Sequence, residues 1–451
     1  MALWCEQAWL PEGWRSNVRL TLEKGRISAI EAGVEPASGD ERHAIFLPAM
    51  PNLHSHAFQR GMAGLAERAG TGDDSFWSWR EVMYRFVDRL DPEGMAVIAA
   101  LAFAEMLESG FARVGEFHYL HHDVDGRPYD DIGAMAQAIA AAAGETGIAL
   151  TLLPVFYAHS GFGGAAPTQG QRRFINDVDR YARLLDASRA AIASLDDAVV
   201  GVAPHSLRAA TADELAAVTA LAPDAPIHIH IAEQMPEVEA CLAWSGARPV
   251  EWLMGHADVS PDWCLVHATH ITDAERAAIV QSGAVAGLCP ITEANLGDGL
   301  FPARAFLAEG GRFGVGSDSN VEIDAAAELR LLEYGQRLAH RGRNLLADGA
   351  GQSTGASLYR GALAGGGQAL GRPTDGLAVG AAADIVSLKA GEPAFAGRTG
   401  DAILDSWIFG GGARRVDCVW RGGVKRVEDG RHVARDAIDA RYRAAMAKLL
   451  G

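Results

Sequence analysis

The segment Ile227-His228-Ile229-His230-Ile231-Ala232-Glu233 has the composition of a buried β-strand that ends in polar residues. Alternate side chains of a strand share a face, so His228 and His230 point the same way. His230 is nearer the carboxyl end and is the predicted metal ligand, whereas His228 is expected to be a hydrogen-bonded core residue. Glu233 follows three residues after His230, where a carboxylate is useful for proton transfer.

Further apolar runs lie on both sides of this segment, and helical stretches alternate with them. Together the runs end near Leu53, Phe117, Val155, Ala203, Ile231, Val266, Leu288 and Gly316. Helix start and stop signals separate them, such as the capping box of Thr211 with Glu214 and the glycine stop at Gly283. Strands that alternate with helices in this way predict an α/β fold, a closed parallel (β/α)₈ TIM barrel.

Both ends of the chain carry strand patterns of a different kind. The strand-like stretches are residues 18–23, 26–30, 385–388, 417–421 and 424–427. They are short, alternate apolar with polar residues, and are joined by turn signals. We expect the two ends to meet in one small β-sandwich domain formed by residues 1–48 and 374–451, with residues 49–373 forming the catalytic barrel.

The composition excludes several classes of partner. The 451 residues carry a formal net charge of −17, which argues against binding to nucleic acid or to an anionic membrane surface. No stretch approaches the roughly 20 apolar residues of a membrane helix, and the first residues lack a signal-peptide pattern. The five cysteines are scattered, as in reduced cytosolic proteins. We therefore expect a cytoplasmic protein.

Polar side chains also follow other predicted strands. His54 and His56 come after the first strand, His267 after the sixth and Asp318 after the eighth. The carboxyl ends of barrel strands meet at one face, where the active sites of such barrels lie. We predict one divalent cation whose ligands are His54, His56, His230 and Asp318. Three imidazoles and a carboxylate suit zinc, and iron or manganese fit the same donor set.

A cation at this position would make the site hydrolytic. It would lower the pKa of bound water to about 7 and supply a nucleophile for attack on an sp² carbon. Asp318 can accept the proton of the water, His267 can orient or share it, and Glu233 can protonate a substrate nitrogen. The residues alone leave open which of the three is the general base.

The order of these residues resembles that of the amidohydrolase superfamily: His-x-His, then His-x-x-Glu, then His, then Asp. Residues 376–386 also resemble the segment by which that superfamily returns to its β domain. Two-metal members usually bridge their ions with a carboxylated lysine, but this chain has no lysine between Lys24 and Lys389. The resemblance therefore implies a mononuclear site, and mononuclear members are largely deaminases.

Other stretches resemble one family within that superfamily, the formiminoglutamate deiminases. They are residues 51–60, 76–80, 116–122, 204–208 and 292–299. These enzymes convert N-formimino-L-glutamate and water to N-formyl-L-glutamate and ammonia in histidine degradation. The resemblance implies that reaction for this chain.

A substrate with two carboxylates needs guanidinium partners, because arginine binds carboxylates with two parallel hydrogen bonds. Arg208 follows the fourth predicted strand, and Arg80 lies in the loop after the first. For Arg80 the alternative is a structural one, stacking on Trp77 and Trp79 in a packed lid. The resemblance adds three substrate-binding residues: Gln59, Tyr119 and His205. Glu293 and Asn295 are weaker candidates that follow the seventh strand.

Two alternative functions stay open at this stage. Another mononuclear deaminase would act on a purine, pyrimidine or triazine ring amine, but paired arginines favour a dianionic aliphatic substrate. A non-catalytic scaffold would be expected to have lost its ligands, whereas all of them are present. A homodimer is a hypothesis by analogy only.

Overall fold

The structure is a computed structural model that describes residues 1–69, 76–374, 376–389 and 391–451. The side chain of Trp77, part of the predicted lid, lies outside this described part. The strands are β1 (Ala2–Leu10), β2 (Gly13–Glu23), β3 (Arg26–Ala32), β4 (Glu41–Pro48), β5 (Met50–Ser55), β6 (Phe111–His118), β7 (Ala149–Phe156), β8 (Val199–Val200), β9 (Ala203–Pro204), β10 (Ile227–Ile231), β11 (Trp263–His267), β12 (Val285–Leu288), β13 (Arg312–Val315), β14 (Ile385–Leu388), β15 (Val416–Arg421), β16 (Val424–Glu428) and β17 (Arg431–His432).

The α-helices are α1 (Phe76–Val87), α2 (Pro92–Ser109), α3 (Ala134–Thr146), α4 (Val178–Ile192), α5 (Ala212–Thr219), α6 (Met235–Ser245), α7 (Pro249–His256), α8 (Asp273–Ser282), α9 (Pro290–Leu296), α10 (Ala303–Ala308), α11 (Ala325–His340), α12 (Thr354–Ala369), α13 (Ala402–Gly410) and α14 (Arg435–Leu450). Short 3₁₀ helices span Ala57–Met62, Gln169–Gln171, Pro393–Phe395 and Gly412–Arg415. The expected caps are present: Thr211 and Glu214 form a capping box at α5, and Gly283, with φ 73°, ends α8.

The parallel strands form a closed barrel. One sheet runs β5-β6-β7-β8, with β9 also pairing with β7, and a second runs β10-β11-β12-β13. Two seams join the sheets through the parallel bridges Val202↔Ile227 and Ser55↔Asp318. At the second seam the amide of Asp318 donates to the carbonyl of His54 at 3.0 Å. The predicted (β/α)₈ barrel is confirmed, with β8 and β9 together occupying the fourth strand position.

The fourth strand position is split at Gly201, a residue that two neighbouring segments crowd. A Cβ at Gly201 would lie 2.5 Å from Leu153 Cδ2 and 2.6 Å from the carbonyl oxygen of Pro226. Only glycine fits there without displacing backbone. The run that the sequence predicts as one strand is thus two short strands, β8 and β9.

Both ends of the chain form the expected small β domain. Its sheet has the order β17-β16-β15-β14-β4-β1-β2-β3, and the antiparallel pair β4–β14 joins the first and last parts of the chain. The sheet folds back on itself, because Arg26 at its far edge bridges to Ala382. Side chains from both ends share one apolar core: Leu3, Leu20, Phe46, Ile385 and Trp420 are fully buried in it.

The last helix, α14, packs against barrel helix α2 and not on the β sheet. Arg435 donates to Glu108 Oε2 at 2.6 Å and to Glu105 Oε1 at 3.1 Å, and Ile438 is buried beneath it. The domain boundaries at 48/49 and 373/374 stay a prediction. Among the described helices, none has the length and apolar character needed to cross a membrane.

Candidate active site

Four buried side chains meet at the carboxyl-terminal end of the barrel. They are His54, His56, His230 and Asp318, and their ligand atoms all lie within 4.8 Å of one another. The Nε2 atom of His54 is 3.0 Å from Nε2 of His230 and 3.3 Å from Nε2 of His56. Nε2 of His56 is 3.2 Å from Oδ1 of Asp318. The predicted ligand set is thus brought together around one point.

The protonation of these imidazoles fits a cation. Nδ1 of His56 donates to the carbonyl oxygen of Phe117 at 2.9 Å, and Nδ1 of His230 donates to that of His205 at 3.1 Å. Burial lowers the pKa of His56 to about 3, so the ring is neutral. The Nε2 atoms of His56 and His230 therefore each present a lone pair to the cluster. Both atoms approach Nε2 of His54, at 3.3 and 3.0 Å. A divalent ion among these nitrogens and Asp318 would be coordinated by their lone pairs.

His228 lies two residues before His230 on β10 but takes no part in this cluster. Its Nε2 donates to the carbonyl oxygen of Ala369 at 2.7 Å, one layer deeper in the barrel. It is a buried core histidine whose Nε2 is taken up by a main-chain carbonyl, which distinguishes the two members of the His-x-His pair.

The two segments that carry His54, His56 and Asp318 are clamped together. Asp318 has φ 45°, a left-handed conformation that costs energy for a residue with a side chain. Its carbonyl oxygen accepts from the amide of His56 at 2.9 Å and from Nδ2 of Asn320 at 3.0 Å. Asn320 also donates to Ser55 Oγ at 3.1 Å. These bonds hold the strained backbone and so fix the ligands before an ion arrives.

The three predicted catalytic residues form a second layer around this cluster. Nε2 of His267 lies 3.7 Å from Asp318 Oδ2 and 3.8 Å from Glu233 Oε1. Its Nδ1 lies 3.2 Å from Glu293 Oε1. Burial opposes a charge on His267, but Glu233, Glu293 and Asp318 outweigh it and raise the pKa of the imidazole well above its usual range. The contact with Glu293 fixes the orientation of the His267 ring beside Asp318 and Glu233.

All five predicted substrate-binding residues line one pocket above the cluster, namely Gln59, Arg80, Tyr119, His205 and Arg208. Gln59 Nε2 donates to the Tyr119 hydroxyl at 2.8 Å. The Arg80 guanidinium lies 5.6 Å from the ring centroid of Tyr84. The pocket therefore places two guanidinium groups on the same cavity as the predicted catalytic residues.

Arg208 is held by a buried carboxylate. Its Nε lies 4.0 Å from Oε1 of Glu237, and the Glu237 side chain is 2% exposed. Oε2 of Glu237 accepts from the amide of Glu233 at 3.1 Å. Burial alone would lower the pKa of Arg208, but Glu237 raises it, so the guanidinium stays charged. The same carboxylate thus contacts both the arginine and the backbone of the predicted acid.

Some pocket residues were not predicted. Tyr84, Tyr157, Phe174 and Thr292 line the cavity. Tyr157 directly follows β7, so its place at a barrel strand end was a usable signal, whereas Phe174 lies in a loop without periodicity. Of the weaker candidates, Asn295 donates to Glu67 Oε1 at 2.7 Å in an exposed loop contact.

Comparisons with known proteins agree with this architecture. Residues 45–426 match the model described as "Amidohydrolase family", and residues 1–44 match "Formimidoylglutamate deiminase HutF, N-terminal domain". The formimidoylglutamate deiminase of Pseudomonas aeruginosa is 51% identical over 451 residues, which are 100% of this chain and 99% of that protein. The 8-oxoguanine deaminase of the same organism is 29% identical over 454 residues, with 96% of this chain and 94% of that protein covered.

Solved structures give the same result. The crystal structure of an amidohydrolase from Brucella melitensis has a TM-score of 0.97 and 56% identity, and covers 100% of both chains. An adenosine deaminase from Xanthomonas campestris, solved with bound zinc, has a TM-score of 0.81 at 22% identity, over 100% of this chain and 98% of that one, and bears on the fold alone. The chain belongs to the amidohydrolase family and, within it, to the formimidoylglutamate deiminases.

Proposed function

We propose that this chain hydrolyses N-formimino-L-glutamate to N-formyl-L-glutamate and ammonia. The reaction would use one divalent cation, for which zinc is the first candidate, bound by His54, His56, His230 and Asp318. The observation that carries the proposal is a pocket in which this ligand cluster and two arginines converge. The full-length identity of 51% to a formimidoylglutamate deiminase supports the same substrate.

The charge of the pocket suits a dicarboxylate. The chain as a whole is strongly negative, with 57 acidic and 40 basic residues, so its overall field repels an anion. Arg80 and Arg208 supply the local positive charge, and bidentate hydrogen bonds would orient both carboxylates. The formimino group at the other end of the substrate would then face Glu233 and His267.

The bound cation would act as a Lewis acid and activate water for attack on the formimino carbon. Water adds to that carbon, and the bond to the terminal nitrogen breaks with release of ammonia. Glu233 is the proposed donor of the proton that the departing nitrogen needs. Asp318 would accept the proton that the attacking water loses, with His267 oriented beside it by Glu293.

The remaining partner assignments follow from the same chemistry. We propose a cytoplasmic enzyme of small-molecule metabolism with no nucleic-acid or membrane partner, because the net charge of −17 opposes polyanionic surfaces. A homodimer remains a hypothesis by analogy.

The test is ammonia release from N-formimino-L-glutamate by protein of known metal content, with N-formylglutamate identified as the second product. Turnover with about one ion per chain would support both the reaction and the site. Release of free glutamate and formamide would keep the substrate and overturn the bond assigned as broken. If metal-loaded protein gave no turnover, a purine, pyrimidine or triazine deaminase would be the replacement, tested with a panel of ring amines.

A further inference from the structure

The side chain of Tyr157 lies beside Arg208 in the pocket, and the reaction outlined above gives it no role. Backbone pairing fixes this arrangement, because the amide of Ala158 donates to the carbonyl oxygen of Ala209 at 2.9 Å. The Tyr157 ring packs on the ring of His205 with centroids 4.6 Å apart. Tyr157 is 5% exposed, so the position of its hydroxyl is set by the protein.

A buried glutamine determines the direction of the hydrogen bond to that hydroxyl. Oε1 of Gln171 accepts from the main-chain amide of Thr168 at 2.8 Å and from its hydroxyl at 3.1 Å. A main-chain N–H can only donate, so this end of the side-chain amide must be the oxygen. Nε2 of Gln171 therefore faces Tyr157 and donates to its hydroxyl oxygen at 2.8 Å.

The hydroxyl hydrogen of Tyr157 must consequently point away from Gln171. Among the described residues, no carbonyl, carboxylate or hydroxyl oxygen accepts it, although buried tyrosine hydroxyls elsewhere donate to carbonyls, as Tyr359 does to Pro48 at 2.6 Å. A buried donor without an acceptor is costly. Tyr157 also contributes to the raised pKa of Arg208, which agrees with their proximity. The Arg208 guanidinium and the Tyr157 hydroxyl thus face the same part of the pocket.

We propose that Tyr157 is a further substrate-binding residue, whose hydroxyl donates a hydrogen bond to the substrate carboxylate that Arg208 binds. Gln171 is a positioning residue that acts through Tyr157. The inference rests on the proposed function and deepens it, because it assigns two donors to one end of the substrate: Arg208, and Tyr157 held in place by Gln171. A carboxylate accepts both donors at once, whereas a neutral alkyl end accepts neither.

Tyr157→Phe removes the donor and keeps the ring. For N-formimino-L-glutamate we expect KM to rise about 10- to 100-fold, the range for a hydrogen bond to a charged group, with kcat nearly unchanged. N-formimino-α-aminobutyrate and N-formimino-γ-aminobutyrate each lack one carboxylate. Tyr157→Phe and Arg208→Ala should both lose their effect with the same analogue. Tyr359→Phe, at the other end of the barrel, is the matched control and should leave KM unchanged.

Gln171→Glu tests the direction of the hydrogen bond. The new carboxylate keeps an oxygen for Thr168 but accepts from the Tyr157 hydroxyl, so the hydroxyl no longer donates to the substrate. We expect the single variant to match Tyr157→Phe in KM, and the double variant to be no worse than Tyr157→Phe. Melting temperature and metal content establish that each variant is folded.

Two results in variants with altered kinetics would overturn the inference. One is an equal loss of kcat/KM with all three substrates in Tyr157→Phe, as expected if the hydroxyl only supports the pocket through its bond with Gln171. The other is a further loss in the double variant, which would assign the effect of Gln171→Glu to its charge. Turnover by the wild-type chain with an unaffected Tyr157→Phe would reject this inference alone, whereas no wild-type turnover of any formimino substrate would reject the proposed function with it.

Discussion

Replacement of Arg208 by alanine tests most directly whether the positive charge of the pocket binds a carboxylate of the substrate. The guanidinium is 4.0 Å from the buried Glu237 and has a side-chain exposure of 11%. Alanine would remove the proposed carboxylate partner of the substrate. It would also leave Glu237 buried without its cation, and burial already raises the pKa of that carboxyl.

The magnitude follows from the two hydrogen bonds of a bidentate contact. Each bond to a charged group contributes about 1.5–3 kcal/mol, and loss of one partner of a buried charge pair costs about 2–5 kcal/mol. A value of about 3–4 kcal/mol corresponds to a fall in kcat/KM of roughly 10²- to 10³-fold, because about 1.36 kcal/mol is tenfold. Most of the loss should appear in KM, since carboxylate binding precedes the chemical step.

The assay compares N-formimino-L-glutamate with N-propylformamidine, a substrate that has the same reacting group and no carboxylate. Arg208→Ala should abolish the preference for the dicarboxylate and leave the slow turnover of the carboxylate-free amidine within about threefold. The double variant Arg208→Ala, Glu237→Gln removes the unpaired carboxylate, so it should recover stability without recovering affinity. Arg276→Ala, which breaks a surface ion pair with Glu309, serves as the matched control. Equal losses on both substrates would refute the assigned role of Arg208.

Three further predictions concern the metal cluster and its support. His230→Ala should lose bound metal and activity together, whereas His228→Ala on the same strand should lose stability and keep its metal. Metal analysis after gel filtration distinguishes the two variants, and retained metal in His230→Ala would reject His230 as a ligand. Glu233→Gln should keep its metal and lose about 10²- to 10⁴-fold in kcat, so a kcat near that of the wild type would exclude Glu233 as the proton donor. Asn320→Ala should lower the free energy of unfolding by about 2–4 kcal/mol in urea titrations, because it removes three buried hydrogen bonds, to the Ser55 hydroxyl and to the carbonyls of His56 and Asp318. No change would mean that water replaces the amide.

Much of the candidate site could be predicted because a parallel barrel converts sequence position into spatial position. A residue that ends a barrel strand must lie at the carboxyl-terminal face, whichever strand it follows. That rule alone brings His54, His230, His267 and Asp318 to one face from segments more than 200 residues apart in the extreme case. Alternation along β10 places His228 and His230 on the same face, so it does not distinguish them. Their depth in the barrel does: His228 contacts Ala369, and His230 contacts His54.

The supporting contacts could not be predicted because they join loops from different strands. Gln171 reaches Tyr157 from a 3₁₀ turn in an irregular loop, and no period relates the two positions. Glu237 contacts Arg208 from the first turn of α6, whereas Arg208 lies in the loop after the fourth strand position, and no sequence period relates the two. The packing of α14 on α2 was also missed, since the polar pairs of Arg435 with Glu105 and Glu108 resemble an ordinary solvated face in sequence.

The charges of the pocket also indicate how the proposed substrate would be oriented and why the product would leave. An amidine is a strong base, so the formimino end of N-formimino-L-glutamate is cationic at neutral pH, while its two carboxylates are anionic. Glu233 would attract the cationic end as a carboxylate and take up one of its protons, which it later returns to the departing nitrogen. Arg80 and Arg208 would attract the anionic end, so only one orientation satisfies both. Hydrolysis turns the amidinium into a neutral formamide. The product then keeps its contacts to the arginines but loses its attraction to Glu233, so the reaction itself weakens binding at the end where the bond was broken.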